Sequence, residues 1–289
     1  MKFWQFLPFT EVDQLVGVAQ FAEEVGFHGA LLGDHAFFPE KLASRYPYSP
    51  DGRPGFGAGT AWPDPWVAIA AMAAVTARLR FGTGVYILPL RNPFEVAKSI
   101  ATAAVLSGNR VALGAGAGWM REEYDRFGVD FATRGRRYDE MIQVLRSLWR
   151  GGMVEHHGEF FDFDRLEVEP APGEPIPIYI GGNSRPALRR AARLGDGWIS
   201  AGSAPAEIPE VMETLRALRR EAGRERLPFE TIVSVAAAPD TDLYRRIEDE
   251  GVTAVLHWPF PYWLGPSTSL EQKRAGLEKY AEQFIVPLS

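Results

Sequence analysis

The 289-residue chain contains no cysteine, which excludes disulfides, thiolate nucleophiles and cysteine-ligated metal sites. Only five histidines are present, and the sequence has no H-E-x-x-H motif and no cluster of histidine with carboxylates, so we expect no metal site. It also lacks a G-x-S-x-G motif, which argues against an α/β-hydrolase. These absences leave few residue types that could carry out chemistry.

Positive charge and long apolar runs are also scarce. The formal net charge is −6, whereas nucleic acids and anionic membranes attract basic surfaces, so we expect neither as a partner. The N-terminus lacks the length and the cleavage site of a signal peptide, and the apolar stretch 68–77 is too short to span a bilayer. By elimination we expect a cytoplasmic protein.

Short apolar strands alternate with helical patterns along the chain. The predicted strands carry residues 3–7, 29–32, 79–88, 110–114, 176–180, 197–201, 229–237 and 252–256. Eight strand–helix units in about 290 residues predict a (β/α)8 TIM barrel, an α/β fold. A long segment rich in Pro, Gly and aromatic residues is inserted after the second strand, and a small hairpin with a turn at Gly158 precedes the fifth. No linker divides the chain, so we predict one domain over residues 1–289.

The alternative fold is an open doubly wound α/β sheet. It is disfavoured because no G-x-G-x-x-G motif opens a helix after the first strand. In both folds the binding site lies beyond the C-terminal ends of the parallel strands. The residues that follow each predicted strand are therefore the candidates for function.

Three strand ends are rich in glycine. They carry Gly84, Val85 and Tyr86; Gly116, Ala117, Gly118 and Trp119; and Gly181, Gly182, Asn183 and Ser184. Glycine lets a ligand approach the backbone and accept hydrogen bonds from its N–H groups, although crowding inside a barrel explains Gly84 equally well. The last group precedes a helix, whose N-terminus favours an anion or simply needs an N-cap. The pattern predicts a site for a large, planar, phosphorylated molecule.

Two strand ends carry groups suited to acid–base chemistry. Asp34 and His35 follow the second strand, and histidine transfers protons near neutral pH. The alternatives are that Asp34 caps the next segment and that His35 only packs. His257 ends the last strand and, with Trp258, is a candidate for substrate contact.

Four segments stand in the order and at the spacing of a known family. They are GDHAFFPE (33–40), LRFGTGVYILPLRNP (79–93), LGAGAGWMREEYDRFGVDFATRGRRYDE (113–140) and IYIGGNSRPALRRAARLGDGWI (178–199). They resemble the luciferase-like monooxygenase superfamily, and within it the flavin- and F420-dependent oxidoreductases with a TIM-barrel fold. The segment SRYPYSPDG (44–52) is similar to an insertion found in one F420-dependent branch.

The resemblance implies that the deazaflavin F420 lies at the strand ends, with Asp34 in contact with it and His35 stabilising or protonating the reacting centre. The Gly84–Val85 step matches a bulge with a non-proline cis peptide bond behind the ring. Residues 116–119 and 181–184 match contacts to the ribityl chain and the phosphate. The resemblance also implies a homodimer.

Departures from the family pattern bear on substrate and cofactor. In the sugar-phosphate dehydrogenases of the superfamily an acid stands at the position of Trp119 and an aromatic residue at that of Pro39, so we do not expect that sugar chemistry. Luciferases bind the FMN phosphate with an arginine at the position of Ala117. Its replacement by alanine favours F420 over FMN.

Three functions remain open. The first is an F420-dependent oxidoreductase that moves a hydride to or from a small apolar or planar substrate. In this reading His35 exchanges the proton, and the insertion, residues 37–62, covers the site and excludes water. The second is an FMN-dependent monooxygenase, in which reduced flavin activates O₂, and the third is a barrel that binds a flavin without turnover. We expect the aromatic loop 257–266 to help shape the pocket.

Overall fold

Parallel strands close into a barrel in the computed structural model, which describes residues 1–288. The strands are β1 (Lys2–Phe6), β2 (Gly29–Leu32), β3 (Arg80–Thr83), β4 (Tyr86–Ile87), β5 (Val111–Gly116), β6 (Val154–His157), β7 (Asp162–Leu166), β8 (Ile178–Gly181), β9 (Gly197–Ile199), β10 (Glu230–Val233) and β11 (Ala254–His257). The order β3-β2-β1-β11-β10-β9-β8-β5 is closed by the pairing of β3 with β5, and β4 continues β3. The predicted TIM barrel is confirmed, as is the hairpin, formed by β6 and β7.

Helices cover the outside of the barrel. They are α1 (Leu15–Glu24), α2 (Pro65–Ala73), α3 (Pro93–Ser107), α4 (Arg121–Phe127), α5 (Arg134–Leu148), α6 (Arg185–Leu194), α7 (Ile208–Glu221), α8 (Thr241–Asp249), α9 (Leu270–Tyr280) and α10 (Val286–Leu288). Local sequence determines where two of these helices begin. Both α2 and α3 begin with a proline that follows an Asp or Asn, and the side chain of that Asp or Asn accepts hydrogen bonds from N–H groups of the first turn. Within residues 1–288, no helix is long and apolar enough to cross a bilayer.

Side chains alternate between the barrel interior and the helix layer. The interior cluster consists of Trp4, Leu31, Ala112, Tyr179, Ile199, Ile232, Ala254 and Leu256. Trp4 is fully buried, and a Cβ on its neighbour Gly29 would lie only 2.4 Å from the indole ring. Because the period along a strand is two residues, the intervening side chains pack outward against the helices. This alternation decides which strand-end residues face the mouth.

The insertion lies across the C-terminal mouth of the barrel. It contains no helix or strand, and its residues approach three different parts of the rim. Trp62 packs against Phe9 after β1, with ring centroids 5.5 Å apart. A Cβ on Gly182, after β8, would lie 3.3 Å from the hydroxyl of Tyr48. One on Gly55 would lie 2.7 Å from that of Tyr262, in the C-terminal loop. The insertion therefore covers the strand ends, as predicted.

One predicted strand was wrong, and one helix was not predicted. The strand predicted over residues 79–88 is broken at the Gly84–Val85 peptide, which is cis, as the family resemblance implied. The segment that follows Gly116–Trp119 was not predicted to be helical, yet it forms α4. This helix has only seven residues and ends at Gly128, which adopts the left-handed conformation. Its shortness hid it, because seven residues make only about two turns, which give a weak periodic pattern.

Candidate functional site

The side chain of Val85 forms the floor of the barrel mouth. A Cβ on Gly116 would lie 2.4 Å from one of its methyl groups, and a Cβ on Gly181 would lie 2.3 Å from the other. Both glycines therefore make room for Val85. On the side where a Cβ would stand, the space is filled by Val85 and not left open, and contact of these two backbones with a cofactor stays a prediction. The methyl groups of Val85 instead present an apolar surface on which a planar ring could rest.

Tyr86 faces away from the mouth. It is 5% exposed and packs in the outer core, with its ring centroid 6.0 Å from that of Trp66. The guanidinium of Arg91 lies 4.8 Å from the ring centroid, and burial raises the pKa of the Tyr86 hydroxyl. The expected contact of Tyr86 with a cofactor is therefore not provided by this structure.

Asp34 is engaged by the protein itself. Its Oδ1 lies 2.7 Å from a guanidinium nitrogen of Arg91, and its Oδ2 accepts the backbone N–H of Ile87 at 2.9 Å. Burial raises the pKa of Asp34, and the nearby Arg91 opposes that rise. Both oxygens thus hold Arg91 and β4 in place, so Asp34 does not meet our expectation of a cofactor contact. Arg91 was missed from the sequence because nothing local links it to Asp34.

His35 lies at the mouth, three residues beyond the end of β2. Its Nδ1 is 3.2 Å from Oε1 of Glu123. Three rings surround the imidazole, with centroids 4.9 Å away for Phe56, 5.0 Å for Trp62 and 5.8 Å for Trp119. The side chain keeps 9% exposure. Within residues 1–288 no group bonds to Nε2, and Nε2 is not among the fully buried atoms without a partner. One ring nitrogen is held and the other is accessible.

Glu123 is the main functional candidate that the sequence reading missed. It is fully buried, at 0% exposure. Met120 and Tyr124, also fully buried, stand three residues before it and one after it. Positions i, i+3 and i+4 share one helical face, so this spacing places Glu123 on the inward face of α4. The signal was present in the segment MREEY, but it can be used only once the helix is recognised.

The loop after β5 is shaped mainly by packing. Gly118 adopts φ +69°, and a Cβ there would lie 2.7 Å from Ile87. The Tyr124 hydroxyl donates a hydrogen bond to the carbonyl of Ala117. The indole of Trp119 contacts both His35 and Tyr46 of the insertion. Of the residues predicted on this loop, Trp119 is the one whose side chain reaches the histidine.

The segment after β8 combines a structural and a potential binding role. The side chain of Asn183 joins this loop to the next one, since it donates to the carbonyl of Gly202 at 2.8 Å and accepts from the N–H of Ala201 at 3.0 Å. Ser184 caps α6 by accepting the N–H of Ala187. No group within residues 1–288 accepts the backbone N–H groups of Asn183 and Ser184. These two N–H groups at a helix N-terminus suit an anion.

His257 is not at the mouth, contrary to our prediction. Its neighbours Ala254 and Leu256 belong to the interior cluster, so the alternation turns His257 outward. It is 4% exposed and stacks on Tyr280 of α9 at 3.8 Å. Burial lowers its pKa to about 3. Trp258 is half-buried, and its indole N–H donates to the carbonyl of Val235; its contact with a substrate stays a prediction.

The residues at the mouth fit a planar, phosphorylated cofactor in two independent respects. Val85 projects into the centre of the barrel end and offers an apolar contact for a ring. The unpartnered N–H groups of Asn183 and Ser184 offer donors for a phosphate at the rim. Between them, His35 presents an imidazole. The fit comes from the whole rim and not from the glycines that first suggested it.

By its fold, the molecule is a TIM-barrel protein whose candidate site lies where such barrels bind their ligands, at the C-terminal strand ends. The model of the luciferase-like monooxygenase family matches residues 1–249. The chain therefore belongs to this family, and the resemblance inferred from the four sequence segments is confirmed.

Known proteins relate the chain to F420-dependent enzymes. An uncharacterized protein of Mycobacterium tuberculosis is 41% identical over 287 residues, 99% of each chain. An F420-dependent glucose-6-phosphate dehydrogenase of Nakamurella multipartita is 30% identical over 286 residues, 95% of this chain and 79% of that protein. The chain thus has oxidoreductases that use F420 among its relatives.

Solved structures show the same fold at low sequence identity. A monooxygenase of Streptomyces bottropensis superposes with a TM-score of 0.77 at 17% identity over the full length of both chains. A coenzyme F420-dependent tetrahydromethanopterin reductase of Methanopyrus kandleri gives a TM-score of 0.74 at 17% identity, covering 100% of this chain and 99% of the other. These similarities establish the shared barrel and nothing about substrate.

Proposed function

We propose that the protein is an F420-dependent oxidoreductase acting on a small neutral organic substrate. One observation carries the proposal: His35 stands in the barrel mouth with Nδ1 held by Glu123 and with Nε2 free. A histidine in that state can exchange a proton with a bound substrate near neutral pH. The relatedness to an F420-dependent dehydrogenase supports the choice of cofactor.

The rim residues have distinct binding roles in this proposal. The methyl groups of Val85 contact the ring system, and the N–H groups of Asn183 and Ser184 bind the phosphate. When bound, F420 supplies or accepts a hydride. Ala117 carries no charged side chain to bind an FMN phosphate, which supports F420 over the flavin.

His35 performs the proton transfer that accompanies the hydride. When a carbonyl is reduced, the imidazolium form of His35 gives its Nε2 proton to the oxygen; when an alcohol is oxidised, Nε2 of the neutral ring takes the proton of the hydroxyl. General acid–base catalysis of this kind accelerates reactions by about 10²- to 10⁴-fold. The rings of Phe56 and Trp62 pack around the imidazole and leave its side chain only 9% exposed, which limits the access of water.

The surroundings of His35 define the class of substrate. Phe56, Trp62 and Trp119 present aromatic faces and edges, which favour apolar or planar groups. Among residues 1–288, the side chains recorded against the imidazole are these three rings and Glu123, none of which is a cation. We therefore propose a neutral ketone, an enone or the corresponding alcohol.

Two alternatives remain to be separated from this proposal by experiment. An FMN-dependent monooxygenase would use the same barrel with O₂, and a non-catalytic barrel would bind its cofactor without turnover. The homodimer implied by the family also stays a prediction.

The proposal is tested by anaerobic reoxidation of reduced F420 in the presence of a panel of ketones and enones. We expect turnover with at least one neutral member, and none with phosphorylated sugars. A parallel assay with reduced FMN and O₂ serves as the comparison. Oxygen-dependent turnover with FMN and none with F420 would show that the alternative is correct.

A further inference from the structure

Glu123 is a carboxylate in an unusually dry position. Its side chain has 0% exposure, and removing a carboxylate from water costs several kcal/mol unless hydrogen bonds or an opposite charge compensate, as an order of magnitude. One oxygen, Oε2, has no partner within residues 1–288. Only the contacts of Oε1 therefore offset the cost of burying this carboxylate. The role of Glu123 must be sought in the groups that Oε1 contacts.

Oε1 contacts two consecutive residues at the end of β2. It accepts the backbone N–H of Ala36 at 2.8 Å and lies 3.2 Å from Nδ1 of His35. Among residues 1–288, His35 is the only side chain within ion-pair distance of Glu123. The nearby carboxylate of Asp34 has its own cationic partner, Arg91, at 2.7 Å. The electrostatic partner of Glu123 is thus the histidine.

The geometry determines which nitrogen of His35 carries the proton. Oε1 already accepts from an N–H group, so it faces Nδ1 as an acceptor, and Nδ1 must be the donor. In the neutral ring the proton then sits on Nδ1, and Nε2 keeps its lone pair. The orientation of a histidine by a second residue in this way is a common feature of catalytic imidazoles.

The neighbouring carboxylate on α4 does something different. Glu122 accepts the backbone N–H groups of Ala43 and Ser44 and the Ser44 hydroxyl, all in the insertion. It makes no contact with His35. Two adjacent acids of one helix therefore hold two different segments, and this makes Glu122 a matched control for Glu123.

We propose that Glu123 is the positioning residue of His35: through Oε1 it fixes the Nδ1–H tautomer and turns Nε2 toward the substrate. The effect on turnover rests on the proposed function of the site. The tautomer does not, because it can be measured on the protein alone. This separates a failure of the inference from a failure of the proposed function.

The tautomer is tested by NMR of protein labelled with ¹⁵N-histidine, at about pH 9, where ordinary imidazoles are neutral. The His35→Ala variant assigns the signal among the five histidines. We expect the Nδ1–H form in the wild type and in Glu123→Gln, which keeps an acceptor oxygen. We expect its loss in Glu123→Leu and its retention in Glu122→Gln. An Nε2–H form in the wild type, or an unchanged tautomer in Glu123→Leu, would overturn the inference.

Kinetics distinguish positioning from a purely structural role. Glu123→Leu should lower kcat at least about 10-fold while KM changes little, and Glu123→Gln should restore part of the loss. In the His35→Ala background the same substitution should cost almost nothing more, because Glu123 acts through the missing imidazole. If the two losses multiply instead, Glu123 supports the fold independently of His35 and the inference is wrong.

Discussion

His35 stands three residues beyond β2 and His257 is the last residue of β11, yet the surroundings of these two strand-end histidines are opposite. His35 lies at the mouth, paired with Glu123 and with one nitrogen accessible. His257 lies in the outer core, stacked on Tyr280, with its pKa lowered to about 3 and its Nε2 buried without a partner. One imidazole keeps an accessible nitrogen, and the other is neutral because burial lowers its pKa.

The difference comes from where each histidine stands relative to the alternation of side chains along its strand. In β11 the interior positions are Ala254 and Leu256, so the next residue, His257, points to the helices. His35 lies beyond the last paired residue of β2, Leu32, where the chain is free to turn its side chain to the mouth. Position at a strand end is therefore a weak indicator of function, and the direction of the side chain is a strong one.

The largest contrast is expected in turnover. His35→Ala should lower kcat by about 10² or more, because it removes the proton-transferring group. His257→Phe, which keeps an aromatic ring on Tyr280, should leave kcat within about twofold of the wild type. The measurement is steady-state reoxidation of reduced F420 with whichever substrate the wild type turns over. Equal losses in the two variants would remove the functional distinction between the histidines.

The free energy of unfolding at acid pH should depend on His257, although turnover does not. The pKa of His257 is about 3 in the folded protein against about 6.5 when unfolded, so below pH 6.5 the unfolded chain binds the proton first and stability falls toward pH 3. His257→Phe removes this linkage. The variant should gain stability over the wild type as the pH falls through that window, by on the order of a few kcal/mol at its lower end.

The measurement is urea unfolding at several pH values between about 7 and 4, with intrinsic fluorescence as the probe. His28, whose pKa is lowered to about 4 mainly by burial, contributes equally to both proteins and cancels in the difference. A constant difference across this range would show that His257 is not the buried neutral group described here.

The floor beneath the mouth offers a packing test. Gly181→Ala would place a methyl group 2.3 Å from Val85, and overpacking of this kind costs about 1–3 kcal/mol. The double variant Gly181→Ala with Val85→Ala should recover much of that cost, since it removes the clashing methyl groups. Chemical denaturation of the two single variants and the double variant measures the coupling. Additive losses would mean that Gly181 is required for another reason.

The smallest effect concerns the cover over His35. Trp62→Ala removes a ring 5.0 Å from the imidazole, so His35 should react several-fold faster with diethyl pyrocarbonate, as an order of magnitude. His257 lies under α9, away from the insertion, and should remain unreactive in both proteins. Mass spectrometry of the modified peptides measures both sites in one sample. Unchanged labelling of His35 would show that the insertion does not shield it.

Much of the fold was predictable because its determinants are local. Proline and capping residues mark the starts of α2 and α3, and Ser184 marks the start of α6. The insertion and the hairpin were visible as interruptions of the strand–helix alternation. What failed was short or irregular: α4 has only about two turns, and β3 is separated from β4 by the cis Gly84–Val85 peptide.

The position of the candidate site could be predicted from the sequence, but the roles of several of its residues could not. His35 and Trp119 come together as their strand-end positions suggested. The partner of His35 lies 88 residues away in sequence, and no local pattern reports such a pair. The space expected to be open beside Gly116 and Gly181 is occupied by Val85, because sequence shows a missing side chain but not the neighbour that fills its place. Tertiary contacts, and not composition, assign these roles.

The central claim is that the barrel mouth is built for F420, with His35 as its proton-transferring group and not as a binding contact. It is tested most directly by equilibrium titration of the wild type and of His35→Ala with F420 and with FMN, followed by protein fluorescence. We predict saturable binding of F420, much weaker binding of FMN, and an F420 affinity in His35→Ala within a few-fold of the wild type. Tight binding of FMN with none of F420 would contradict the account.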